Sequence, residues 1–202
     1  MTEAVYRRCI LLRHARTRGN EERRYIGART DEGLSPAGRR EVLDRREALI
    51  RQVPSEAWLF SGPLRRTLET AEILFGDRPV RILEEMRETD FGDFEGKNYE
   101  ELKDDPAYRA WIDSNGALPF PAGESREEMI TRSMDGLYRA LRLCPADKPL
   151  CILCHGGNIM GIMSRLTGRD FYDFQVGNLT GYDLEFDSDG QRIVDVSYHR
   201  LG

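Results

Sequence analysis

Apolar positions fall in short continuous runs and in helical spacings, and the two patterns alternate along the chain. Cys9-Ile-Leu-Leu12 is an unbroken apolar run ending at Arg13-His14, the pattern of a strand buried on both faces. Ser35 followed by Pro36 predicts a cap and first turn for a helix running to about Ile50. Ala57-Trp-Leu-Phe60 predicts a second strand. Leu64, Leu68 and Ala71 then mark a helix opened by Pro63, and Val80-Arg-Ile-Leu83 a third short strand. From Asp90 to Gly123 the pattern loosens. Phe91, Phe94, Tyr99, Tyr108, Trp111 and Phe120 mix with prolines and acids, as in an insertion of short helices. Ile130, Met134, Leu137 and Leu141 mark a long amphipathic helix. Pro149-Leu-Cys-Ile-Leu-Cys154 reads as another buried strand, followed by a Gly-Gly turn and an apolar helix around Ile159–Leu166. Alternation in Gly181–Asp187 and in Arg192–Val196, split by Ser188-Asp-Gly190, predicts a closing hairpin.

Strands alternating with helices predict an α/β fold with a mostly parallel central sheet. No linker or repeat divides the sequence, so residues 1–202 are expected to form one domain, with an insertion at about 90–123. Hydrophobic residues make up 40 % of the 202 positions and charged residues 32 %, enough for one packed core under a solvated surface. The balance of 30 basic against 35 acidic residues counts against nucleic-acid binding, which needs a basic face. It leaves room for a local cationic pocket. No apolar run is long enough to span a membrane. The first residues enter a strand-like stretch without an apolar signal region, so the expectation is a soluble, cytoplasmic protein. Nothing in the pattern signals an oligomeric state.

Cys151-Ile-Leu-Cys154-His155 has the C-x-x-C-H spacing of covalent haem attachment. On a strand, however, residues three apart face opposite ways, and both cysteines suit a buried apolar run. Neither haem nor a zinc site is expected, because no further ligands stand at metal-binding spacing.

His14 and His155 each follow an apolar strand, where open α/β sheets bind ligands. Arg13, Arg16, Thr17, Arg18 and Asn20 surround the first histidine in sequence. Arg65 and Arg66 open a helix after the second strand, and Gly156-Gly157 allow backbone N–H groups to approach a ligand. Arginines, a helix start and a Gly-Gly turn at strand ends fit a phosphoryl group, whose oxygens accept paired guanidinium hydrogen bonds.

These residues resemble the histidine phosphatase (phosphoglycerate-mutase-like) superfamily. Leu11-Leu-Arg-His-Ala-Arg-Thr-Arg-Gly-Asn20 is similar to its signature L-x-R-H-G-x-T-x-x-N. Ser61-Gly-Pro-Leu-Arg-Arg66-Thr resembles S-x-P-L-x-R-A, and Glu88-Thr-Asp-Phe-Gly-Asp-Phe-Glu-Gly96 resembles E-x-x-F-G-x-x-E-G. Cys154-His155-Gly-Gly matches the second histidine block, and Asp31 ahead of Leu-Ser-Pro-Ala-Gly38 also fits. The blocks occur in family order over residues 9 to 187. Ala15 departs from the pattern by replacing a glycine, and Arg16 stands where glutamate is common and is expected to make the mouth more cationic.

The resemblance implies a three-layer α/β/α sandwich with the small insertion lying over the active site. It implies a metal-independent, acid-type phosphatase without cofactor, in which His14 takes the phosphoryl group. Glu88 is implied as proton donor, and His155 as the second catalytic histidine. Arg13, Asn20, Arg66 and Gly156 are implied as substrate-binding residues. The substrate class is a small phosphomonoester, and the 91–125 stretch looks most like the α-ribazole phosphatase group. A mutase-type phosphoryl transfer, a non-catalytic phospho-ligand module and action on phosphoproteins remain as alternatives.

Overall fold

The computed structural model describes residues 5–189 and 192–201. Strands β1 (Val5–Arg13), β2 (Trp58–Ser61), β3 (Val80–Ile82), β4 (Leu150–Cys154), β5 (Gly181–Ser188) and β6 (Ile193–Leu201) form one sheet in the order β3-β2-β4-β1-β5-β6. Its β3, β2, β4 and β1 are parallel, and β5 and β6 add an antiparallel hairpin beside β1. The hairpin matches expectation, while Gly190 of its expected turn lies outside the described residues. Strand ends differ from the sequence reading by a few residues, as ladder hydrogen bonds extend past the apolar runs.

Helices are α1 (Arg18–Glu21), α2 (Pro36–Gln52), α3 (Arg65–Phe75), α4 (Tyr99–Leu102), α5 (Pro106–Asp113), α6 (Arg126–Leu143) and α7 (Gly156–Thr167). The Ser35 hydroxyl caps α2 by accepting from Gly38 N–H at 2.9 Å, with Pro36 in the first turn. Ser125 and Glu128 form a reciprocal capping box on α6. Gly156 and Gly157 lie in the first turn of α7, with His155 as its N-cap, so the expected Gly-Gly turn is a helix start.

The two sheet faces carry separate cores. Leu11, Ile152 and Cys154 pack with α6 and α7 residues such as Leu137 and Ile162. Ile10, Leu12, Cys151 and Leu153 pack with Val42 of α2 and Leu74 of α3. Helices thus cover both faces, as a three-layer sandwich requires. Cys151 and Cys154 sit in opposite cores, as strand alternation demands, and burial pushes the Cys151 thiol up to about 12. A third cluster, Phe94, Leu102, Tyr108 and Phe120, lies within the segment joining β3 to α6. Among the described residues, no helix is long and apolar enough to cross a membrane.

Candidate active site

Register brings the two histidines together. In the parallel β1–β4 ladder Arg13 pairs with Cys154, so the next residue of each strand is a histidine. His14 N–H donates to the Cys154 carbonyl at 3.1 Å, and the two imidazole centroids lie 5.0 Å apart. His14 is 2 % exposed, His155 0 %, Arg66 1 % and Glu88 6 %, so this is a dry site.

His14 Nδ1 lies 2.7 Å from the Ala15 carbonyl, which can only accept, so Nδ1 carries the proton and Nε2 keeps its lone pair. Burial pushes the His14 pKa well below its ordinary value, and the charges of Arg66 and Arg13 push the same way. Ala15 is buried without a positive φ, and its N–H donates to Thr70 Oγ1 at 3.1 Å. The departure from glycine therefore brings no backbone strain.

Arg66 Nε donates to His155 Nδ1 at 3.3 Å, which leaves the proton on His155 Nε2. Burial lowers the His155 pKa well below the ordinary range, and Arg66, His14 and Arg13 add to that effect. Arg66 is itself anchored on the carbonyls of Thr30 (2.8 Å) and Gly27 (3.0 Å). Arg13 Nη1 donates to Val176 O at 2.7 Å. Two buried donors, Arg13 Nε and His155 Nε2, have no protein acceptor. Unpaired buried donors are costly, so their presence beside His14 marks a place for a ligand's oxygens.

Glu88 follows the turn after β3. Thr89 N–H donates to its Oε1 at 2.8 Å, and Thr89 Oγ1 to the same oxygen at 3.2 Å. Arg132 holds this turn by donating to the carbonyls of Glu85 (2.6 Å) and Arg87 (2.8 Å), and pairs with Glu124 at 2.7 Å. Asn158 Nδ2 donates to Arg87 O at 3.1 Å, and its Oδ1 accepts from His155 N–H at 3.2 Å, tying Glu88 to the second histidine. Gly157 leaves room for this carboxyl: a Cβ would sit 2.5 Å from Glu88 Oε1 and 2.7 Å from Thr89 Oγ1, so a side chain here would displace them.

A cavity of about 380 Å³, within the range of small-molecule sites, is lined by Arg13 and Glu88 of this group, while His14, Arg66 and His155 are not part of its lining. Arg13, Glu88, Thr89, Gly156 and Gly157 line its polar part. Tyr25, Phe91, Trp111, Phe120, Phe171 and Tyr172 make its aromatic part. Of the insertion aromatics singled out in the sequence, Phe94 and Tyr108 are core, Tyr99 is exposed, and Trp111 and Phe120 reach the cavity.

Asn20 stands behind His14 and off the cavity lining. Its Oδ1 accepts from Thr17 N–H and from Asn178 Nδ2, both at 3.2 Å, and Asn178 also donates to His14 O at 2.9 Å. Arg16 does not add charge to the mouth as expected, because it pairs with Glu41 of α2 at 2.7 Å. Sequence reasoning missed Asn178, Arg132, Asn158 and Thr89. Asn158 alone left a signal, as an i+3 polar residue after a helix cap. Among the described residues, no three His, Cys, Asp or Glu side chains are grouped to hold a metal ion.

The chain belongs to the histidine phosphatase superfamily (branch 1), whose family model matches residues 9–198. It is 33 % identical over 173 residues to the glucosyl-3-phosphoglycerate phosphatase of Mycolicibacterium vanbaalenii, covering 80 % of this chain and 75 % of that one. The native mycobacterial glucosyl-3-phosphoglycerate phosphatase structure superposes with a TM-score of 0.80 at 26 % identity, over 96 % of this chain and 97 % of that one. The alpha-ribazole phosphatase of Shigella flexneri shares the fold, with a TM-score of 0.80 at 23 % identity over 96 % and 95 % of the two chains.

Proposed function

We propose that the protein hydrolyses small phosphomonoesters through a phosphohistidine at His14. The observation that carries this reading is the freed Nε2 of a neutral, buried His14 beside the unpaired donors Arg13 Nε and His155 Nε2. The His14 lone pair forms an N–P bond as the ester P–O bond breaks, and Glu88 gives its proton to the leaving alkoxide. Glu88 then takes a proton from water, whose oxygen attacks phosphorus, breaks the N–P bond and releases phosphate. Arg13, Arg66, His155 and the Gly156 N–H at the start of α7 hold the equatorial oxygens, a task that a metal ion has in other phosphatases. Asn20 acts one step back, holding the His14 backbone through Asn178.

Residues 90–123 are proposed to cover the cavity within a single domain. The aromatic wall supports a ring-bearing substrate such as α-ribazole 5'-phosphate, and the mycobacterial relatives point instead to a sugar-bearing phosphoglycerate. Hydrolysis is favoured over mutase-type transfer because the relatives named above are phosphatases. Four free cysteines, all buried, suit a reducing cytoplasmic location.

The test is phosphate release from a panel of phosphomonoesters with EDTA present. The panel spans α-ribazole 5'-phosphate, phosphoglycerates, sugar phosphates, nucleotides and an aryl phosphate. Turnover is expected to resist EDTA, and His14→Ala is expected to lower kcat by about 10⁴-fold or more. Alkaline quench of the wild type should trap a base-stable, acid-labile phosphoenzyme absent from His14→Ala. No ester turned over by the wild type, or turnover surviving His14→Ala, would refute the reading.

A further inference from the structure

The cavity holds a second arginine that the phosphoryl chemistry does not use. Arg126 lines it from the first turn of α6, where the helix dipole is positive and a cation is disfavoured. Its guanidinium lies over the rings of Phe171 (4.9 Å) and Tyr172 (5.1 Å). Nη2 donates to the Asn115 carbonyl and to Tyr172 Oη. Nε and Nη1 have no acceptor among the described residues.

The three glutamates flanking it in sequence are committed elsewhere. Glu124 pairs with Arg132, Glu127 with Arg165, and Glu128 caps its own helix at Ser125. Among the described residues Arg126 has no ion-pair partner, and Glu88, at the catalytic end, is the only acid lining the cavity. The backbone is shaped around this arrangement. Gly116 has φ +65°, and a Cβ there would sit 2.5 Å from Tyr172 Oη and 2.8 Å from Arg126 Nη2. Trp111, which lines the same cavity, has its Nε1 buried without an acceptor. Donors without acceptors therefore collect around Gly116, apart from those beside His14. An acceptor with negative charge completes them, and a carboxylate oxygen can take a charge-assisted hydrogen bond from a guanidinium nitrogen that Asn115 and Tyr172 leave free.

We infer that Arg126 is a specificity-determining residue for a carboxylate carried by the substrate, so that the enzyme prefers phosphomonoesters of acids to those of the matching alcohols. The inference rests on the phosphatase reading above and narrows it, since α-ribazole 5'-phosphate has no carboxylate.

The test compares kcat/KM within two matched pairs: 3-phosphoglycerate against glycerol 3-phosphate, and 6-phosphogluconate against sorbitol 6-phosphate. The members of each pair differ only in carboxylate against hydroxymethyl. The wild type is expected to favour the acid by about ten- to a hundredfold in at least one pair, the range of a charged hydrogen bond. Arg126→Met should bring that ratio close to one, chiefly by raising KM for the acid, with Arg126→Lys restoring part of it. Gly116→Ala should erode the ratio with the charge still present. Arg142→Met, which removes an exposed charge from the far end of the same helix, should leave the ratio intact. Circular dichroism establishes that each variant is folded. An absent preference for both acids, or a preference that survives Arg126→Met, overturns the inference. An aryl phosphate assayed alongside separates this from failure of the phosphatase reading, in which it too is left uncleaved.

Discussion

His14, Arg66, Glu88 and His155 come together from four places far apart in the chain, and each is held mainly by backbone groups or by another site residue. The aromatic wall is assembled differently. Its Phe91, Trp111 and Phe120 come from one stretch of sequence and pack with Phe94 and Tyr108 behind them, with ring centroids 4.8 to 6.3 Å apart, while Tyr25, Phe171 and Tyr172 complete the wall from elsewhere. A floor tied to the sheet cannot shift without breaking strand register. A locally packed wall can be recut without disturbing that register. Under the proposed function, bond-making falls to the floor and substrate choice to the wall.

The sharpest division of labour should appear in Glu88→Gln, which keeps the shape of the floor and removes the proton. On alkyl phosphates kcat is expected to fall by about 10²- to 10⁴-fold, the contribution of a general acid. Aryl phosphates with acidic leaving groups need no such proton, so their phosphorylation rate should fall far less. A single-turnover comparison of the two ester classes reads this directly, and equal losses would remove Glu88 from that role. Phe94→Ala should act on the wall alone. Phe94 is fully buried among Tyr108, Trp111 and Phe120, so the cavity left behind should cost about 3–5 kcal/mol in urea unfolding. Its kcat on an aryl phosphate should stay within about tenfold, since Phe94 touches none of the reacting groups. A loss matching that of Glu88→Gln would mean that floor and wall are one unit.

The same contrast explains what the sequence made legible. Apolar runs ending in histidine identify strand ends, and a parallel sheet must collect those ends on one side, so His14 and His155 could be placed together. Glu88 stood out only through the family motif, because locally it is one acid among Glu84, Glu85 and Asp90. What buries its turn is Arg132, gripping the carbonyls of Glu85 and Arg87 from another helix, and sequence period carries no trace of such a contact. Arg126 was hidden for a related reason. In Ser-Arg-Glu-Glu an arginine reads as a solvated charge at a helix start, and its isolation emerges only once each neighbouring acid is seen to be engaged. The wall aromatics could be recognised as a group, but which of them face the cavity depends on how α5 and the 116–123 stretch pack.

Acid offers the finest separation of floor from wall. The folded state holds His14 and His155 neutral, with both pKa values well below the unfolded value of about 6.5. Above that value the folded and unfolded chains are equally deprotonated at these positions, and stability does not depend on pH through them. Below it the unfolded chain takes up protons that the folded chain refuses, so stability is lost as pH falls. Between pH 6.5 and pH 5 each histidine should account for a share of that loss. Phe94 does not titrate, so Phe94→Ala should lower the whole curve of unfolding free energy against pH and leave its slope unchanged. His155→Gln should instead flatten the slope by about one histidine's share over the same interval. Urea unfolding at half-unit steps of pH distinguishes the two. A wild-type curve already flat between pH 6.5 and pH 5 would mean that the histidines are solvated enough to protonate in place, and the dry floor assigned to them would not exist.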